Sequence, residues 1–413
     1  MSFQTDRFSR LTALRPVAPR AAPPAGGMER QAELLRLLRA DLRHNHCGQH
    51  VAVRKRCAEP GVPRVDPRVL RLLLPGARDG WADAKSWLFL DTETTGLAGG
   101  TGTYAFMVGL AWWEDDGLAV EQLLMQDFTE ESSLLAAVAE RLGEDKLLVT
   151  YNGKSFDWPL LETRYRMKRI SLPQAPGAHL DLLHPARQIW RHSLRSVALA
   201  ELEREVLKID RDNDIPSSII PGLYFSFLRG GPPASLVPVF EHNRMDLQGL
   251  AMLAGRMAEM LEDPQSAGCS AAELFGISSV LKRRGDPQAA GETCRQALLR
   301  GLPEAAERAA RRELALSARR ERDFGLANEQ WQRLLRDPQE GLLACEQLAI
   351  HYEHRERDLG RAASLVREAL GELREGFRSG RIDRAVYFGC HARLNHRLNR
   401  LLRKLGNADG AGS

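Results

Sequence analysis

The sequence predicts an α/β domain, a mixed sheet with helices on both faces, followed by an all-helical domain. Three observations point there. From about residue 81 to 263 short apolar runs of strand length alternate with amphipathic stretches. Gly, Pro and Asn-Gly signals separate these runs. From about residue 270 strand-like runs stop and only helical periodicity remains. A chain of 413 residues is too long for one compact core and fits two or three domains, each burying its own apolar surface.

Residues 1–80 read as a basic leader, one helix and a linker. An amphipathic helix is expected over Glu29 to Arg43, and Pro and Gly punctuate Pro60 to Gly80. The core is expected to begin at Trp81. The run Ser86-Trp87-Leu88-Phe89-Leu90 is short, apolar and aromatic, so it reads as a buried strand with Asp91 at its end. Two further strands follow, Thr103 to Trp113 and Leu118 to Asp127, with Asp115-Asp116-Gly117 between them as a hairpin turn. A helix over Glu131 to Leu142, a strand over Leu147 to Tyr151 and a helix over Phe156 to Arg169 come next. A strand over His179 to Leu183 leads to helical sequence from Ser193 to Leu207, then to a longer helix from Val239 to Met260. Such alternation requires a mixed sheet buried on both faces.

In the region 270–405, Asp286, Asp323 and Asp358 each precede a helix of similar design: Ala290 to Leu299, Leu326 to Leu335 and Arg361 to Leu370. The spacings are about 37 and 35 residues. Ala344, Leu348 and Tyr352 fall on one face of a further helix. Such a period resembles that of tetratricopeptide repeats.

Composition narrows the class. The six cysteines are scattered and nothing reads as a secretory signal, so a reduced, cytoplasmic protein is expected. No stretch approaches the roughly 20 apolar residues of a membrane span. Residues 1–80 carry about 15 Lys and Arg against about 7 acids, whereas 81–263 are acidic by roughly ten charges. An acidic centre with basic flanks suits a protein that collects cations in one place and phosphates around it.

Three segments carry the chemistry. In Asp91-Thr92-Glu93 strand geometry sends both carboxylates to one face and Thr92 to the other, and two adjacent anions demand a cation. In Tyr151-Asn152-Gly153-Lys154-Ser155-Phe156-Asp157 a strand passes through an Asn-Gly turn into a helix whose first turn bears Asp157, where helix capping is the plainer role. In His242-Asn243-Arg244-Met245-Asp246 the i, i+4 spacing places the His and the Asp on one side of the late helix. Gly99-Gly100-Thr101-Gly102 precedes a strand, where a phosphate-cradling loop precedes a helix. The set His44, His46, Cys47, His50 and Cys57 matches no standard zinc finger.

Together, in this order and on these elements, the three segments resemble the exonuclease motifs of the DEDD superfamily, whose fold is ribonuclease H-like. The phrases Asp91 to Leu97, Tyr151 to Asp157 and His179 to His184 resemble the YprB-like branch, and the match covers residues 81–263. The resemblance implies that Asp91, Glu93, Asp157 and Asp246 hold two divalent ions, magnesium or manganese. It implies that His242 acts as the base, and that Asn152, Phe156, Thr94 and Leu97 touch the terminal nucleotide. One departure stands out. A histidine in this superfamily usually has four residues between it and the last aspartate, and here it has three, the spacing of the tyrosine type.

The expected function is hydrolysis of phosphodiester bonds at a single-stranded DNA or RNA end, 3' to 5', with the helical region recruiting a protein partner or guiding the substrate. The competing reading is an inert scaffold that binds nucleic acid or protein through its helices. A third reading, an aspartate-based phosphatase, is disfavoured by Glu at position 93, where a second Asp belongs. Two basic groups, Arg187, Arg191, Arg195 and Arg164, Arg166, Lys168, Arg169, are candidate phosphate contacts.

Overall fold

The computed structural model describes residues 27–96, 102–171, 177–211 and 213–409. The chain divides into two compact units, residues 1–183 with 198–257, and residues 184–197 with 258–413.

The first unit is built on a seven-stranded sheet. Its strands are β1 (Asp41–Asn45), β2 (Gly48–Cys57), β3 (Trp87–Thr94), β4 (Ala105–Glu114), β5 (Gly117–Leu124), β6 (Leu147–Thr150) and β7 (Ala178–Asp181). The order across the sheet is β1-β2-β5-β4-β3-β6-β7. The first five of these positions are antiparallel, while β3, β6 and β7 run parallel. The mixed sheet predicted from the alternation is therefore present. Its helices are α1 (Gly27–Leu38), α2 (Pro67–Leu73), α3 (Glu131–Arg141), α4 (Asp157–Lys168), α6 (Leu199–Leu202), α7 (Ile220–Leu228) and most of α8 (Val237–Glu262). The predicted hairpin turn joins β4 to β5. A Cβ on Gly117, at φ 138°, would lie 2.2 Å from the Cys57 carbonyl oxygen, so only glycine fits that turn.

Two expectations need correction. The core does not begin at Trp81, because β1 and β2 extend the sheet and Val51, Ala52 and Val53 are buried in it. Their sequence, rich in His, Arg and Lys, hides the strand pattern. The basic residues are matched by acids across the sheet instead: Arg43 donates to Glu121 at 2.7 Å, and Arg56 pairs with Glu114 and Asp116. The predicted helix over Ser193–Leu207 is also displaced. Helix α5 (Leu183–Trp190) lies earlier, a turn follows, and helical structure resumes only at Leu199. Arg187, Arg191 and Arg195 consequently share no helix and form no stripe.

The second unit is helical throughout: α5, then α9 (Ala271–Arg283), α10 (Pro287–Arg300), α11 (Glu304–Arg320), α12 (Phe324–Leu334), α13 (Gly341–His351), α14 (Leu359–Arg378) and α15 (Arg384–Asp409). The sequence period has a physical cause here. Asp286, Asp323 and Asp358 cap α10, α12 and α14, accepting the amides of Ala289, Leu326 and Arg361 at 2.9, 3.0 and 2.7 Å. Ala344, Leu348, Trp331, Val366 and Leu370 are buried together in the core of this unit. Among the described residues no helix is long and apolar enough to cross a membrane.

Candidate active site and metal centre

The site is assembled around the end of β3. Strand β6 pairs with β3 only as far as Phe89, whereas β4 continues past it. Residues 91–94 therefore have an open flank. Asp91 and Glu93 leave β3 on one face as the alternation predicts, and both are largely withdrawn from water. Asn243 of α8 donates from Nδ2 to the Asp91 carboxylate at 2.8 Å. Its Oδ1 accepts from Gln122 at 2.9 Å, which fixes the amide's orientation. Gly109, opposite Asp91 in register, makes this approach available, since a Cβ there would sit 2.2 Å from Asn243 Oδ1.

Asp157 stands in the first turn of α4. The helix's N-cap residue is Phe156, and its side chain makes no cap bond. The Thr92 hydroxyl, on the other face of β3, donates to the Asp157 carboxylate. Burial pushes that carboxyl up to about 6, and the bond from Thr92 opposes the rise. The turn before α4 is held by Asp181, which accepts the amides of Asn152, Lys154 and Leu183 at 2.8, 3.1 and 3.1 Å. Asp181 thus acts as a fastening of the loop, as a strand-end polar group should. Asn152 takes a left-handed φ of 66° in this turn. Phe156 is 57% exposed beside the site. Thr94 donates to the Gly96 carbonyl at 3.0 Å, and Leu97 lies outside the described residues.

His242 and Asp246 share one face of α8, with His242 Nε2 3.5 Å from Asp246 Oδ2. His242 Nδ1 lies 2.7 Å from Asp214 Oδ1, and Ser217 Oγ lies 3.2 Å from Nε2. Arg211 gathers three acids: it bonds Glu203 at 2.7 Å, Asp214 at 3.0 Å and the Asp246 carboxylate. Burial opposes the charge on the guanidinium, but the bonds to Glu203 and Asp246 and the charges of those two acids outweigh it and raise its pKa. Sequence reasoning missed Thr92, Glu203, Arg211, Asp214 and Asn243. Only Asn243 carried a signal, by lying between His242 and Asp246 in the same segment.

The donor atoms of Glu93, His242 and Asp246 lie within 4.8 Å of one another. Asp91 and Asp157 are not part of that trio, yet their charges are felt. Burial first, then the charges of Asp246 and Asp157, hold both Asp91 and Glu93 well above the usual carboxylate range. Like charges at this density favour protonation unless a cation joins them. The cleft already draws one cation, the Arg211 guanidinium. Carboxylate oxygens with one imidazole are a donor set that divalent ions accept, so these residues fit a metal.

Two of the four residues in the second basic group are taken up by the fold, while Arg166 and Arg169 are exposed. Arg164 is buried and bonds Glu131, at 2.8 Å through one nitrogen, and Lys168 approaches the same carboxylate at 3.1 Å. Arg169 is the left-handed residue that ends α4.

A sequence profile agrees with this architecture. A family profile described as the RNase H superfamily matches residues 88–258. The uncharacterized protein YprB of Bacillus subtilis (strain 168) is similar over 287 residues at 31% identity, which covers 69% of each chain. Among solved structures, the family B DNA polymerase from the hyperthermophilic archaeon Pyrobaculum calidifontis aligns with a TM-score of 0.34 at 14% identity. That alignment covers 58% of this chain and 34% of the polymerase.

Proposed function

Since the chain belongs to the RNase H superfamily, as a relative of YprB, we propose that it is a metal-dependent exonuclease. It hydrolyses phosphodiester bonds at a single-stranded DNA or RNA end, 3' to 5'. The observation that carries this reading is the carboxylate pair on β3, Glu93 buried and Asp91 half-buried, close to Asp246 and His242. Four acids gathered around one strand end have no structural purpose that offsets their mutual repulsion, and a bound dication supplies one.

In this reading Asp91, Glu93, Asp157 and Asp246 hold two divalent ions, magnesium or manganese. Such a pair lowers the pKa of a bound water and stabilises the leaving oxygen. The protein's own groups do the rest. Asn243 keeps Asp91 aimed into the cleft, and Thr92 does the same for Asp157. His242 is the group placed to accept a proton from the attacking water, with Asp214 holding its Nδ1. Phe156 offers an exposed ring on which a terminal base can stack, and Asn152 and Thr94 line the same approach. The catalytic domain is the first unit, whose sheet includes β1 and β2 as well as the strands from Trp87 onward. The helices of 270–405 are tetratricopeptide-like and bind a protein partner or guide the strand. All six cysteines are free thiols, in keeping with a cytoplasmic protein.

A second reading draws on Arg211. Its ion pair with Asp246 gives the cleft a cation of its own, as an inert scaffold would keep. The two are separated by incubating end-labelled single-stranded DNA and RNA with the purified protein, in manganese, magnesium or chelator, beside Asp91→Ala. Stepwise shortening that needs both metal and Asp91 is expected. No cleavage of either polymer under any condition would sink the exonuclease reading in favour of the scaffold.

A further inference from the structure

The spacing of His242 and Asp246 has a geometric consequence. In an α-helix each residue turns about 100°, so positions i and i+4 differ by about 40° and lie over one another. One more intervening residue would turn the pair about 140° apart. At the spacing found here, the imidazole and the carboxylate of α8 face the same point. Glu93 faces it from β3.

From this arrangement we infer that His242 Nε2 is itself a metal ligand, completing with Glu93 and Asp246 a site that takes a first-row transition-metal dication such as manganese ahead of magnesium. The inference rests on reading the cleft as a metal site, and it revises one role within it.

Three observations support it besides the acids. First, the donor atoms of the trio lie within 4.8 Å of one another, close to the span of about 4.3 Å between opposite donors on one such ion. Second, His242 Nδ1 is 2.7 Å from the Asp214 carboxylate. With Nδ1–H donating to that carboxylate the lone pair falls on Nε2, the arrangement in which metal-binding histidines are held. Asp214 is fixed in turn by Arg211 at 3.0 Å and by the Ile215 amide at 2.8 Å. Third, Glu93 is 8% exposed and has no hydrogen-bond or ion-pair partner among the described residues. A carboxylate this far withdrawn, without a protein partner and close to a lone-pair nitrogen, is suited to share a cation with it. Ser217 Oγ, at 3.2 Å from Nε2, is a rotatable donor that turns away when the nitrogen is engaged.

An imidazole among carboxylates alters selectivity. Magnesium prefers oxygen and keeps its waters, whereas first-row transition-metal dications, manganese the least strongly of them, also accept an imidazole nitrogen.

The test uses the full chain and manganese alone, read by electron paramagnetic resonance with electron spin-echo envelope modulation, without any substrate. The wild type is expected to bind manganese and show one directly coupled nitrogen. His242→Gln should lose that coupling while remaining folded by circular dichroism, and Asp214→Asn should weaken manganese binding about ten- to hundredfold. Manganese binding that is lost in Glu93→Gln, but shows no nitrogen coupling in the wild type, overturns the ligand assignment and leaves the nuclease reading intact. No manganese binding, or binding indifferent to Glu93→Gln, overturns both.

Discussion

Two buried groups of charge in the first unit are built on opposite plans. Between α3 and α4, Glu131 is buried with Arg164, which bonds it through two nitrogens, and with Lys168 at 3.1 Å. Every charge there has a counter-ion from the chain, and Arg164 also stacks on Tyr104 at 3.8 Å. At the end of β3, Glu93 is buried and Asp91 half-buried, and the charges that press on them are those of other acids, Asp157 and Asp246, with Asp214 also acting on Glu93. Asp91 receives a neutral amide, and Glu93 nothing among the described residues. The first group is a finished structural element. The second is stable only as protonated acid or with a cation from outside.

The contrast is broken most forcefully at Arg164. Arg164→Ala leaves Glu131 buried with only Lys168 beside it, and the expected loss of stability is about 3–5 kcal/mol. Urea unfolding in chelator measures it, and replacing both partners together, as Glu131→Leu with Arg164→Met, should recover most of the loss. A single substitution costing under about 1 kcal/mol would mean that the pair is no more structural than a surface one.

The acidic cleft should respond with the opposite sign. An unfolded aspartate titrates near pH 3.9, whereas folded Asp157 is pushed up to about 6. Below about pH 4 the carboxyl is protonated in both states and nothing is lost. Between the two values the unfolded chain releases its proton first, so the stability of the metal-free protein falls as pH rises, and above about 6 the penalty is complete. Asp157→Asn keeps an oxygen for the Thr92 hydroxyl and removes the charge. In chelator at pH 8 it should be more stable than wild type by up to about 2 kcal/mol, the gap closing toward pH 4. Saturating manganese should reverse the order, since only the wild type retains the full ligand set. An Asp157→Asn protein that is less stable at pH 8 would make the acid a capping residue.

The same contrast explains what could be read from the sequence. Asp91 and Glu93 lie in the second half of a strand, Asp157 at a helix start and Asp246 within a long helix, elements that local pattern marks, so each was visible with its element. Their supports were not. Asp214 and Arg211 lie in irregular chain between α6 and α7, and reach His242 and Asp246 only through tertiary packing. Asn243 matters because Gly109 is opposite Asp91, a pairing between residues far apart in sequence. Strands β1 and β2 escaped because Arg43, Arg54 and Arg56 are balanced by Glu114, Asp116 and Glu121 on a neighbouring hairpin. A strand whose polar residues find partners across the sheet lacks the apolar alternation that periodicity detects. In the helical unit the Asp caps were legible because capping is local.

Phe156 extends the comparison from charge to apolar surface. Phe89 and Phe106 are fully buried in the sheet and finished in the sense that Glu131 is, while Phe156 is 57% exposed next to Asp157. A ring left in water one residue from the ligand set has no packing to lose. Phe156→Ala should therefore change stability by no more than about 0.5 kcal/mol. If the ring stacks on a terminal base, the same change should cost about 1.4 kcal/mol of substrate binding, a roughly tenfold rise in KM with kcat held. Steady-state cleavage of a short labelled oligonucleotide measures it. A fall in kcat at constant KM would instead make the ring part of what positions Asp157, and loss of stability would return Phe156 to the core.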